Sequence, residues 1–569
     1  MKRLIARVRA TFDDPNPIVV KELRGIFRTK LYIRFLYLST FAIAAMVLLI
    51  GATVVDGSIS PASAGRVIFQ TFFSLALGVL SVVGPVYGAS SITSEREAAT
   101  YESLLLTGMD ASRIVVGKFA AAYASLALVL IALAPIAGVV FLFGGVAPSY
   151  VLVAFLSVLV ALAPAVAFGV AVSAHVPTSR MAILVSIVTW PVIVFFGSIF
   201  FTIFGAEMQR PWELTEVGPF WFTEALVERW SSLDTLFSTG VLPLYLVGTT
   251  VWFCLAAAIA GVRPAAEDRS TPLKLWALGS MLGPVALACV TTAISSITDV
   301  LETFAVVFGM YFCGLYFYAN VFVNEPPLPP RTTGPEGGLL RRTMRRVFGP
   351  GARPTMRFGV WFMTIFTLLM LAGLTVTRQL AHGGPLDELI AFASVGAAMV
   401  SFAAFLVCLG TLVRIRTRSG VAARAVLFGT VAALVVLPSM TALILDARAL
   451  DHLDERIPFV MAFSPIAVLA GLVLAAERRF SELWMMLPFA GMYAALSVGL
   501  YAAASRNVSV IVKQVDEARA ALLRRVGEEA APVAQVAAPP IAHAVPPARE
   551  APAADGEDSP DVPPEGEGT

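Results

Sequence analysis

The residues able to do covalent chemistry are scattered. His175, His382, His452 and His543 stand apart, and no serine, histidine and acid set or metal-ligand spacing accompanies them. Gly117-Lys118 is followed by Phe119, not by Ser or Thr, and no glycine-rich run precedes it, so the chain has no loop to cradle a nucleotide phosphate. Cys254, Cys289, Cys313 and Cys408 lie inside apolar runs without short spacing, which suits buried packing and neither a disulfide framework nor a zinc site. No catalytic, cofactor-binding or metal-binding residue is expected on this chain, which therefore reads as no enzyme.

The polar residues that are concentrated offer another chemistry, recognition by charge. Ser94 followed three residues later by Glu97 reads as a capping box, and Gly108 as a helix stop, which predicts a short helix over 94–108. On it Tyr101, Leu104, Leu105 and Gly108 fall toward one side and Glu95 and Glu102 on another, giving an apolar side for a bundle and an acidic side for a partner. A solvated connector would carry the same pattern. Near the start, Asn16 can cap a helix and Pro17 suits its first turn. Lys21, Arg24 and Arg28 then share one face, opposite Val19, Leu23, Ile26 and Phe27, which predicts an interfacial amphipathic helix within residues 1–32. Attraction to anionic lipid accounts for that basic face without a protein partner. Between 206 and 240, Trp212, Phe220, Trp221, Phe222, Trp230 and Phe237 alternate with acids, a pattern that aromatic anchoring at a membrane interface explains.

The elements that position these residues follow from composition. The chain is 57% hydrophobic and 14% charged with a mean hydropathy of +0.80, a balance that needs lipid as solvent. Apolar stretches of about 20 residues cross a hydrocarbon core of about 30 Å as helices, since in lipid the backbone must satisfy its own hydrogen bonds. Six spans are expected near 33–55, 67–92, 114–145, 149–174, 181–205 and 241–262, and a second bundle within 263–504 near 275–297, 301–323, 358–378, 389–412, 425–445, 458–476 and 483–504. The fold class is thus an all-α membrane bundle of 12 or 13 spans. Residues 505–526 read as an amphipathic helix lying on the membrane surface, and 527–569, rich in Ala, Pro and acids, as a disordered tail.

Lys and Arg in short loops mark the cytoplasmic side. The leading segment carries nine basic residues up to Arg34 against Asp13, Asp14 and Glu22, and residues 1–30 are too charged for a cleavable signal peptide. Its amino terminus is therefore expected in the cytoplasm. Alternation agrees: the Arg-rich segments 324–357 and 414–424 fall inside and the acidic segment 206–240 outside. Five basic residues, Arg506, Lys513, Arg519, Arg524 and Arg525, place the carboxyl terminus inside as well, against the parity of 13 spans, so one of the last two segments would be re-entrant. Only six of the 41 basic residues are Lys, a bias that points to a GC-rich bacterium and hence to the cell inner membrane. A net charge of +2 gives no reason to expect nucleic acid.

The loop between the second and third spans resembles that of the ABC-2 type permeases, the membrane subunits of a large class of ABC exporters. Their pattern reads Glu-Arg-Glu, any residue, Gly-Thr-Leu-Glu, any residue, Leu-Leu, a Thr-Pro-Leu-like turn, and later Gly-Lys. Glu95, Arg96, Glu97, Thr100, Glu102, Leu104, Leu105, Thr107, Gly117 and Lys118 match it, while Ala99 stands for Gly, Tyr101 for Leu and Gly108 for Pro. Asn16, Pro17, Lys21, Glu22, Leu23 and Arg24 likewise resemble the Asn-Pro-x-x-x-Lys-Glu-Leu-Arg run that opens many of these permeases. The resemblance covers residues 1 to about 262. It implies a six-span core, a coupling helix from Ser94 that inserts into a separate ATP-binding subunit, a connecting helix that also touches that subunit, and an outer gate at 206–240. ATP and Mg would sit on the partner. Two ATP-binding domains act together in this class, so a homodimer or a pairing with a related permease is implied, moving an apolar or amphipathic cargo outward.

Two other classes stay open. A secondary transporter needs ionisable groups at membrane depth, whereas the charges of these spans sit at their ends, as with Arg34, Glu302, Glu388 and Glu482. A non-transporting scaffold would use the tail but leaves the charged loop helix unexplained.

Overall fold

The computed structural model describes residues 16–28, 60–106, 108–138, 140–212, 220–264, 267–294, 316–323, 346–382, 387–445 and 486–534, with isolated positions between them. Every regular element among these is helical. The principal helices are α1 (Pro17–Arg28), α2 (Pro61–Glu97), α3 (Tyr101–Leu106), α4 (Ala111–Ala132), α5 (Pro148–His175), α6 (Ser179–Trp212), α7 (Phe222–Glu228), α8 (Leu242–Val262), α9 (Thr271–Ser280), α10 (Leu282–Ile294), α11 (Ala352–His382), α12 (Asp387–Thr417), α13 (Gly420–Leu445) and α14 (Met486–Ala534). Among the described residues nine helices are long and apolar enough to cross a membrane, and the chain is a multi-pass helical membrane protein. Residues 1–511 form one compact unit and 512–569 a second.

Several sequence expectations need correction. Ser94 and Glu97 do not open a helix: they form the last turn of α2, because the apolar run reaches Ile92 and continues into Ser94–Glu97 without a breaker. The short helix is only Tyr101–Leu106. The surface helix foreseen at 505–526 is part of α14, which runs unbroken from Met486 to Ala534 and so also takes in the first residues assigned to the tail. The third span runs from Ala111 to Ala137, shorter than foreseen, and its continuous helix stops at Ala132, followed by two short turns at Ala134–Ala137 and Val140–Phe143. The spans foreseen at 33–55, 301–323 and 458–476 lie largely outside the described residues, as do 535–569.

Packing explains the order of the first helices. α2 and α5 cross with glycine on glycine: a Cβ on Gly88 would meet the Val166 carbonyl at 2.4 Å, and one on Gly169 the Pro85 carbonyl at 2.1 Å. Close backbone approach of this kind is how helices associate in lipid, where burial of apolar surface supplies no drive. Beyond the crossing, Phe69, Phe72 and Phe73 of α2 meet Phe155 of α5 and Phe220, with ring centroids 4.9 to 6.3 Å apart. Phe220 and Trp221, read as interface anchors, are therefore core residues, whereas Trp230 and Phe237 are exposed. Further along, Tyr318, Phe322, Phe358, Phe362 and Phe366 form a second aromatic stack beside the deeply buried α12.

Candidate functional site

The connecting segment and the start of the third span meet at a glycine. Asn16 caps α1 by accepting the Ile18 amide at 3.1 Å, and its Nδ2 donates to the Arg113 carbonyl at 2.8 Å. Gly117 makes room: a Cβ there would lie 2.7 Å from Asn16 Nδ2. Ile18 is buried while Pro17, Lys21 and Arg24 are exposed, so α1 presents an apolar side inward and a basic side outward.

One residue on, Lys118 is 3% exposed. Its Nζ lies 2.9 Å from Glu95 Oε1 and 3.2 Å from Glu22 Oε1 and donates to the Ser91 carbonyl at 2.8 Å. Lys21 adds a longer contact to Glu95, 3.9 Å. One buried ammonium thus holds α1, the end of α2 and α4 together, with its three donors all used. The other Glu95 oxygen, Oε2, is buried without a hydrogen-bond partner, so this carboxylate depends on Lys118 for compensation.

The rest of the Glu-Arg-Glu run is also spoken for within the chain. Arg96 donates to the carbonyls of Ala174 at 3.0 Å and Val176 at 3.4 Å and covers the Tyr101 ring at 5.1 Å. Glu97 accepts the Ser179 amide and hydroxyl, each at 2.8 Å, and so caps α6 from another helix. Tyr101 in turn donates to the Val262 carbonyl at the end of α8, 3.2 Å away. Ser173 receives the amides of Ile92 at 2.9 Å and Thr93 at 3.0 Å. Ser94 is exposed, and its carbonyl accepts the Ala98 amide.

The acidic side expected to await a partner is therefore turned largely inward at Glu95, and Glu97 holds α6. What remains outward is the turn and tip: Ala98, Ala99, Thr100, Ser103 and Leu106 are exposed, Leu106 at 87%. Ala99 has φ 54° as the chain leaves α2, where the Thr100 amide returns to the Glu95 carbonyl at 3.0 Å. This left-handed residue ends a helix as glycine usually does. Gly108, φ 73°, reverses the chain after α3. Glu102 and Leu105 lie in the α3 backbone, and their side chains fall outside the described residues.

A second buried ammonium was not foreseen. Lys274, the fourth residue of α9, is 1% exposed and donates to the carbonyls of Gly349 at 2.6 Å and Phe348 at 3.4 Å, with the Phe358 ring 5.8 Å away. Asp268 caps α9 through the amides of Ser270 and Thr271 and the Thr271 hydroxyl. Burial pushes the Asp268 carboxyl up, but these hydrogen bonds outweigh it and hold it below its ordinary value. Glu325, which accepts the Gly351 amide at 3.3 Å, is pushed up by burial, with Lys274 opposing. The sequence signal was a lysine at the head of an apolar helix. Compared with protein-family models, curated proteins and solved structures, the chain matches none of them.

Proposed function

We propose that the chain is the permease subunit of an ATP-driven exporter of the ABC-2 type, worked by a separate ATP-binding subunit that seats against the turn and tip from Ala98 to Leu106. The observation that carries this reading is the meeting at Lys118 of three segments that resemble the family at separate points of the sequence: Glu22, Glu95 and Gly117-Lys118 itself. A push on α3 is passed to α2 through the Ala99 turn, and from there to α1 and α4 through Lys118 and to α6 through Glu97. ATP and Mg belong to the partner. The working unit is a homodimer or a pairing with a related permease, in a bacterial inner membrane with α1 and α3 on the cytoplasmic side, and the first six spans are its core. The cargo is apolar or amphipathic.

Because Glu95 and Glu97 hold the chain's own helices, their replacement would test folding as much as docking. Ser103→Arg with Leu106→Asp at the exposed tip is the cleaner variant. It is expected to abolish co-purification with a co-expressed phosphate-loop ATPase while membrane insertion and detergent elution stay unchanged; undiminished co-purification would sink the reading. The second reading, a gradient-driven transporter, is favoured by the buried Lys274 and the half-buried Glu325. Under it, vesicle export would stop with an ionophore and continue without ATP.

A further inference from the structure

The helical hairpin of α12 and α13 gathers positive charge that no acidic residue of α11, of α13 or of α12 beyond Glu388 balances. Arg414 and Arg416 stand in the last turn of α12, where a cation suits the negative end of the helix. Arg418 makes the turn in the left-handed region, φ 56°, and only Ser419 separates it from α13. Arg424 then lies just over one turn into α13, near the positive end of that helix, where a cation is out of place. So short a turn sets Arg414 and Arg424 at similar depth on adjacent antiparallel helices, and the charge that bears on Arg424 is the like charge of Arg414. The sequence has no Asp or Glu between Glu388 and Asp446, and the adjoining α11 contains none. Arg414 Nε is buried without a hydrogen-bond partner. Two guanidinium groups at one depth beside a helix N-terminus make a site for an anion.

The surroundings identify the anion. Val421, Arg424 and Phe428 share one face of α13 by their spacing of three and seven residues, and the two apolar members are 76% and 66% exposed. α13 is a membrane-crossing helix with little of its surface covered by protein. A ligand that reaches Arg424 therefore lies along an apolar face that suits acyl chains, with its charge at the hairpin.

We propose that Arg414 and Arg424 bind the phosphate of an anionic phospholipid at the α12–α13 hairpin. The full chain, purified in a neutral detergent, is titrated separately with phosphatidylglycerol, phosphatidylcholine and inorganic phosphate, and bound lipid is counted by native mass spectrometry. Phosphatidylglycerol is expected to bind selectively, with millimolar phosphate failing to displace it. At about 1 kcal/mol per basic residue, Arg414→Gln with Arg424→Gln weakens it about thirtyfold. Thermal melting supplies a readout independent of folding yield. Arg424→Gln alone relieves like-charge repulsion, so it raises the melting temperature in neutral detergent and lowers it, relative to the parent chain, once phosphatidylglycerol is present. Equal binding of the two lipids, unchanged binding by the double variant, the same sign of melting shift in both conditions, or displacement by phosphate would each overturn the proposal.

Discussion

Among the described residues two lysines are buried, and they are housed in opposite ways. Lys118 is caged by the carboxylates of Glu95 and Glu22, which lie on different helices. Lys274 is caged by the carbonyls of Phe348 and Gly349, while Asp268 and Glu325 act on it from farther off. A carboxylate cage cannot lose its cation without stranding negative charge in a place that water reaches poorly. A carbonyl cage loses hydrogen bonds, and of the carboxyls farther off Glu325 is already held toward its protonated form. The first site is therefore a junction that fails when broken, and the second a support that tolerates change.

Replacing each lysine by methionine tests this contrast most strongly. Lys118→Met leaves Glu95 and Glu22 facing each other and is expected to cost about 3–5 kcal/mol. Lys274→Met leaves two carbonyls without their donor and should cost only about 1–3 kcal/mol, since Glu325 can take up a proton. Melting in detergent measures both; equal losses would erase the distinction. Adding Glu95→Gln to Lys118→Met should recover part of the loss, which separates stranded charge from lost packing.

The carboxyls of the second site sharpen the comparison with a smaller effect and a defined sign. Glu325, held above its ordinary 4.5, favours its protonated form in the folded chain, so stability falls as pH rises through its folded value. Glu325→Gln is expected to melt higher than the parent chain at pH 8 and to match it below about pH 4.5. Asp268 runs the other way: its contribution is present above the ordinary 3.8 and is lost as pH falls further. A Glu325→Gln advantage that grew toward acid would reverse the assignment. Smallest of all, Ala99→Gly at the left-handed turn should stabilise the chain by about 1 kcal/mol without moving Lys118; a melting temperature unchanged or lower would mean that the turn relaxes elsewhere.

Much of the membrane bundle is legible from apolar runs alone, because a helix is the one open-ended structure a lipid-facing backbone permits. Termini are less so. Ser-x-x-Glu reads locally as a helix start, yet at Ser94–Glu97 the apolar run behind it carries the helix through, and alanine at 99 gives no hint of a left-handed stop. Glu97 caps a helix that begins at Ser179, and Glu22 reaches Lys118 across 96 residues, distances over which no local pattern speaks. The motif residues at Glu95, Gly117 and Lys118 were findable; that they are one site was not. Lys274 carried the same mark as Lys118, a charge at the head of an apolar helix, without a motif to draw attention to it.

The glycine crossing of α2 and α5 has a mechanical consequence. Backbones in contact leave no room for closer approach, so the crossing can serve as a pivot about which the two helices turn. Gly88 lies nine residues from the Glu97 end of α2 and twenty-seven from the Pro61 end. At about 1.5 Å per residue, arms of about 13 Å and 40 Å meet there, so a rigid turn of α2 about the crossing would carry a small displacement at the Lys118 end to the far side reversed and about three times larger.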